Sequence, residues 1–206
     1  MTGRLPSPSN EKGLVALVHA VRSRLSRFGK DRSGMGAVEF AMIAPLLLML
    51  YITAFEVTIG LSVAKRATRS AGAIADLTTQ ADTVDLATLN TMKDVASAIF
   101  APYSTDEMTL QITGIDIDTA GKATVRWSWA GDGSAPYLKK AAFSLPANIA
   151  TPSSFLVHAR VSVPHQLLMF MPGLMPASMQ NITITREYYF RQRINEAVSC
   201  TGCPSG

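Results

Sequence analysis

Three groups of residues in this 206-residue chain have types and spacings that could do chemistry. The first is Cys200-Thr201-Gly202-Cys203, which has the spacing of a thiol–disulfide exchange centre. A redox Cys-x-x-Cys normally opens a helix in a βαβ unit, whereas this one lies close to the C-terminus with Pro204 behind it. A local disulfide pinning the tail is therefore the expected state in an oxidising compartment, with a bond between chains as the alternative. The second group is the histidines, His19, His158 and His165, which lack ligand spacing; two cysteines alone half-coordinate a tetrahedral ion, so no metal is expected. His158 falls on an alternating stretch where a lone imidazole is expected at the surface. The third group is two carboxylates, Glu39 and Glu56, set in an apolar run. An ionised carboxylate at the centre of a membrane helix costs roughly 2.5–3.5 kcal/mol on insertion scales, so each calls for a partner or an interface. No glycine-rich phosphate loop, nucleophile triad or carboxylate dyad is present, so no cofactor is expected and an enzyme is disfavoured.

The run that holds Glu39 begins abruptly. Ser33-Gly34-Met35-Gly36-Ala37-Val38-Glu39-Phe40 passes from a basic segment into Ala41-Met42-Ile43-Ala44-Pro45 and a leucine stretch. Cleavage after Gly34 would make Met35 the first residue, Glu39 the fifth and Phe40 the sixth, and would offer Glu39 an α-ammonium partner, either its own or a neighbour's. This pattern resembles the prepilin peptidase site of type IV pilins and pseudopilins, and with Pro45 and the leucines it is most similar to the TadE/TadG-like minor pseudopilins of the tight-adherence pilus system. That resemblance implies an acidic residue at the position of Glu56, and near the end of the chain a Pro-containing apolar loop, a Thr/Ile-rich strand, an aromatic pair, Arg-Pro-Arg and a late cysteine. The chain has Pro164 to Pro176, then Asn181-Ile182-Thr183-Ile184-Thr185, Tyr188-Tyr189, Arg191-Gln192-Arg193 and Cys200, with Gln192 in place of the proline. Residues 131–152 add nothing specific to it.

These residues need elements to position them. Residues 1–34 form a basic leader, with Leu14, Leu17, Val18, Val21, Leu25 and Phe28 at helical spacing among Arg22, Arg24 and Arg27. This is either a helix lying on an anionic membrane surface or a merely basic, partly helical leader. One long helix is expected from about Met35 to Thr79, on the order of 65 Å at 1.5 Å per residue. Its residues 35–64 would cross the membrane, and Ala64, Ala67, Ala71 and Ala75 would form a ridge for close packing. Pro45 should loosen its first turns. A second helix is predicted over 84–100, then four strands. Leu110 and Ile112 alternate and slip phase at Gly114 before Ile115 and Ile117, as a bulge would require. After a turn at Asp118–Gly121 come Ala123 to Trp129, then Phe155 to Val163 ending at Pro164, and Ile182 to Phe190. Trp127 and Trp129 read as core. Met169, Met171, Met175 and Met179 lie in a charge-free segment, either buried on the sheet or exposed for a partner. The expected architecture is α+β: a transmembrane helix continuing into a domain with a second helix and an antiparallel sheet of about four strands, spanning 65–200, followed by a flexible tail at 201–206.

Charge orients this arrangement. Residues 1–34 carry seven basic and two acidic residues, a net +5, which leaves −1 for the rest of a chain of net +4. The high isoelectric point thus belongs to the leader, and nucleic acid is not an expected partner. A cytoplasmic N-terminus follows, although Lys65, Arg66 and Arg69 dilute the asymmetry; the resemblance implies that the membrane is the bacterial inner membrane and that the domain is periplasmic. The resemblance implies as partners a prepilin peptidase, the major pilin, other minor pseudopilins and the membrane assembly platform, besides the lipid bilayer. Two rival readings remain: an uncut, single-pass anchored periplasmic binding domain, and an exported protein released by signal peptidase after Ser62-Val63-Ala64.

Overall fold

A computed structural model describes residue 22 and residues 34–146, 148–166, 181–192 and 196–204. The chain divides into two compact units, Met1–Tyr51 and Ile52–Gly206. Helix α1, Met35–Thr79, begins in the first and ends in the second. The described part of the first unit is the apolar opening of α1, with Phe40, Met42, Leu46 and Leu50 exposed. The leader helix and the Met169–Met179 segment lie outside the described residues.

The second unit is α+β. After α1 come β1 (Thr83–Asp85), α2 (Leu86–Phe100), β2 (Thr109–Ile117), β3 (Ala123–Ala130), β4 (Ser154–Gln166), β5 (Asn181–Arg191) and β6 (Ser199–Thr201). Strands β3-β2-β4-β5 form one antiparallel sheet, and β1 and β6 pair in parallel as a second, two-stranded sheet. The helices and the four-stranded sheet agree with the sequence pattern, including the continuous helix from Met35. The predicted second helix is shorter at its start: Val84 belongs to β1, and the Asp85 carboxylate caps α2 by accepting from the Thr88 N–H at 2.8 Å. That bond holds the Asp85 carboxyl below its ordinary pKa. At the other end Arg66 donates to the carbonyls of Ile99 (2.9 Å) and Ala101 (2.7 Å) and lies over the Tyr103 ring, so a cation of α1 satisfies the open end of α2.

The principal core lies on one face of the sheet. Ala67, Ala71 and Ala75, with no accessible surface, let α1 approach closely, and Val63 and Ile74 fill the spaces beside them. Trp127 and Trp129 join this core as expected, and the Trp127 indole donates to the Val198 carbonyl at 2.8 Å. Gly114 makes that possible, because a Cβ there would lie 2.5 Å from Trp127 Nε1 and 2.8 Å from Phe155 Cζ. The register shift does fall between Gly114 and Ile115, but the extra residue is Arg126 on β3: Gly114 pairs with Trp127 and Ile115 with Val125. Strand β2 itself alternates regularly against β4. Its apolar pattern slips phase because burial changes face.

Ile115, Ile117, Ala123 and Leu156 form a second cluster on the opposite face, covered by Phe143, Leu145 and Ile149. The segment after β3, which carries no sequence motif, is therefore a strap. It also closes part of the β3 edge: Lys140 N–H donates to the Val125 carbonyl, Val125 N–H to Ala141, and Phe143 N–H to Ala123. The strap overturns the expectation of a surface His158. Its side chain is 1% exposed, stacked on Tyr189 at 4.6 Å between centroids and tilted against Phe143 at 5.4 Å. A covered face buries what simple alternation assigns to solvent.

The C-terminal segment is likewise held. Cys200 and Cys203 are bonded to each other and pack against the principal core, and Ser199 N–H donates to the Asp82 carbonyl. Thr201, expected in a free tail, is paired with Asp85 in β6, and Cys203 is bonded and partly buried.

Candidate functional site: the apolar end of helix α1 and its carboxylates

Gly34, in 3₁₀ conformation, immediately precedes Met35, the first residue of α1. Nothing lies within 4 Å of where a Cβ would stand on Gly34 or Gly36, so neither glycine is required by packing. Four residues on, Glu39 shares a helix face with Met35, and its side chain leans back toward the helix start. It is exposed and makes no ion pair among the described residues. Phe40 beside it is 66% exposed. Pro45 lies inside the helix and removes the donor that would reach the Ala41 carbonyl. This stretch of α1 is long and apolar enough to cross a membrane, and none of its most apolar eighteen-residue window is buried. It suits a single-pass anchor.

Glu56 is different in kind. Its side chain is 5% exposed, with Oε1 3.8 Å from Nε2 of His165 on β4. Packing of α1 against its domain thus begins at Glu56 rather than after Ala64. The carboxylate faces protein instead of lipid. Sequence reasoning missed this pairing because His165 is over a hundred residues away and comes close only through the α1–sheet packing. The available signal was the carboxylate itself, which calls for a cationic or polar partner wherever it is buried. Ser62-Val63-Ala64 lies within α1, and Val63 and Ala64 are buried; a cut after Ala64 would sever the helix inside its packed part.

The remaining candidates are dispersed. Cys200 and Cys203 are bonded at the β1–β6 sheet. The polar row on the strapped face is buried: Thr113 and Ser128 share a hydrogen bond of 3.1 Å, and Thr113 pairs in register with His158. His158 Nε2 is 3.4 Å from Glu187 without hydrogen-bond geometry. Burial lowers the His158 pKa, and Glu187 opposes that shift only in part. Among the described residues no three His, Cys, Asp or Glu side chains converge as a metal site.

Residues 34–76 match the family model described as TadE-like protein. That stretch of the chain is TadE-like. The match opens on Gly34 and includes Glu39, Phe40, Pro45 and Glu56, so it covers most of α1 and stops before α2 and the sheet. No curated protein and no solved structure matches the chain. TadE-like proteins belong to Flp-type tight-adherence pilus systems, where they are structural rather than catalytic components.

Proposed function

We propose that this TadE-like chain is a minor pseudopilin, an assembly component of a tight-adherence pilus or a related secretion apparatus, matured by prepilin peptidase cleavage after Gly34. The observation that carries this reading is the coincidence of three boundaries at one residue: the family match, helix α1 and the apolar stretch all start at Gly34 or Met35. Removal of residues 1–34 would leave an α-ammonium on Met35 one helical turn from Glu39, in position for the carboxylate of the same or an adjoining subunit. Neutralising both charges removes most of the cost of holding either in lipid. The mature protein would sit in the inner membrane by the first part of α1, with the sheet domain in the periplasm. There it would contact the major pilin, other minor pseudopilins and the assembly platform.

N-terminal mapping of the protein from its native membrane tests this. The expected first residue is Met35, and Gly34→Leu should yield a species longer by the leader, because the peptidase needs a small, flexible residue beside the hydrophobic helix. Wild-type protein that retains Arg32 would exclude the reading and favour an uncut anchored domain.

A further inference from the structure

Beyond its most apolar stretch, α1 carries an exposed stripe at four-residue spacing: Val57, Leu61, Lys65 and Arg69. These residues lie on the side of the helix turned away from Glu56, Val63, Ala67 and Ile74, which are buried. Val57 and Leu61 are 56% and 58% exposed, and the exposed large apolar side chains of α1 nearly all precede Lys65. Lys65 and Arg69 are exposed and make no hydrogen bond or ion pair among the described residues. Arg66, one position away, is by contrast committed to the end of α2. The stripe bears no carboxylate: Glu56 is buried, and the next acidic residue of α1 is Asp76.

An apolar pair followed at one and two helical turns by exposed cations fits the layering of a bilayer surface. Lys65 and Arg69 stand about 6 Å and 12 Å beyond Leu61 by helix rise. Their side chains lean back toward the start of the helix, which brings both charges toward the headgroup layer, roughly 5–7 Å thick on each side of the hydrocarbon. We propose that this stripe is a lipid-docking surface of the sheet domain. Val57 and Leu61 lie in the outermost acyl region of the bilayer, and Lys65 and Arg69 bind the phosphates of anionic phospholipids. Glu56, at the same level on the other side of α1, is kept from lipid by burial beside His165. The inference rests on α1 being the membrane anchor, and adds that the domain beyond the anchor also touches the membrane.

The test uses the full chain in nanodiscs whose acyl chains carry bromine, which quenches a fluorophore on contact. The two native cysteines are bonded to each other, so a bimane label can be placed singly through Leu47→Cys, Leu61→Cys or Thr91→Cys. In discs containing phosphatidylglycerol, labels at 47 and 61 should be quenched at least twofold and the label at 91 hardly at all. Replacing phosphatidylglycerol by phosphatidylcholine, or introducing Lys65→Ala with Arg69→Ala, should remove at least half the quenching at 61 and leave that at 47 intact. A label at 61 as unquenched as that at 91, with 47 still quenched, would overturn the lipid-docking surface while sparing the anchor. Equal quenching at 61 whatever the lipid or variant would overturn the role of the two cations. No quenching at 47 would overturn the anchor and the docking surface together.

Discussion

At the scale of single residues, the distinction between Glu39 and Glu56 decides what each can do. Glu39 is exposed on an apolar helix face, so removing its carboxylate touches no core; Glu56 is buried beside His165 and belongs to the fold. Glu39→Ala should therefore insert, be cleaved and accumulate at wild-type levels, yet fail to co-purify with pilin partners. A buried ion pair that loses one member typically costs about 3–5 kcal/mol, and here the loss would fall on the subunit contact. Normal partner recovery with a fully cleaved Glu39→Ala protein would reduce Glu39 to an interfacial bystander. Gly114 shows the opposite case, a residue with no chemistry whose absence of a side chain is essential. Gly114→Ala puts a methyl group into the Trp127 indole and the Phe155 ring, both parts of the packed core. Overpacking of this kind costs typically 1–3 kcal/mol, to be read as a lower denaturation midpoint with an unchanged slope. The sequence marked Gly34 and Glu39 because their meaning depends on neighbours along the chain. It could not mark His158 as buried, because that depends on a strap whose own residues carry no periodic pattern.

Among the elements, those with a long repeat were legible and the short pairings were not. α1 runs for 45 residues with Pro45 as its one proline, and β3 to β5 alternate along most of their length, as β2 does on either side of the slip at Gly114, so pattern alone located them. The β1–β6 pair joins Thr83–Asp85 to Ser199–Thr201 in parallel, three residues against three across most of the domain's sequence, and no local signal announces such a contact. Its stability comes from what surrounds it: the Cys200–Cys203 bond, the Trp127 bond to Val198, and Val84 and Val198 in the core. The disulfide closes a very small loop, for which the chain-entropy relation gives about 2 kcal/mol. Replacing both cysteines by Ser should then lower stability by about that amount or less. It should speed amide exchange at Ser199 and Val198 well ahead of β2 and β4, while membrane insertion persists. Two free thiols in rapidly alkylated, non-reduced wild-type protein would remove the basis of this expectation.

For the molecule as a whole, the unforeseen feature is a sheet covered on both faces. A single antiparallel sheet with helices on one side predicts a solvated second face, and the alternation in β4 fits that, yet the strap converts part of it into a second core around His158. That core makes global stability depend on pH. The groups that face His158 are Tyr189 and Phe143, with Glu187 beside Nε2 and Arg160 on its own strand; Thr113 lies across from it in register. Burial pushes its pKa below the ordinary value of about 6.5, and Arg160 pushes the same way, against Glu187. The folded state thus binds this proton less readily than the unfolded chain. Where the unfolded state holds more protons, stability rises with pH. The His158 contribution is therefore fully present above about pH 6.5 and is lost as pH falls from there toward the depressed folded value. Tyr189 works in the other direction at the alkaline end. Burial raises its pKa to about 12, so the unfolded chain ionises first and stability declines as pH rises from about 10 toward that value. Denaturant midpoints of the full chain in detergent should consequently fall between pH 7 and pH 5 more steeply in wild type than in His158→Phe, which keeps the stack on Tyr189 and Phe143 but carries no titrating nitrogen. His158→Gln, polar but uncharged, should also flatten the profile, and so separates loss of titration from a change in packing. Parallel profiles for all three proteins across that window would place the acid sensitivity elsewhere, in the carboxylates, and reduce His158 to a packing residue.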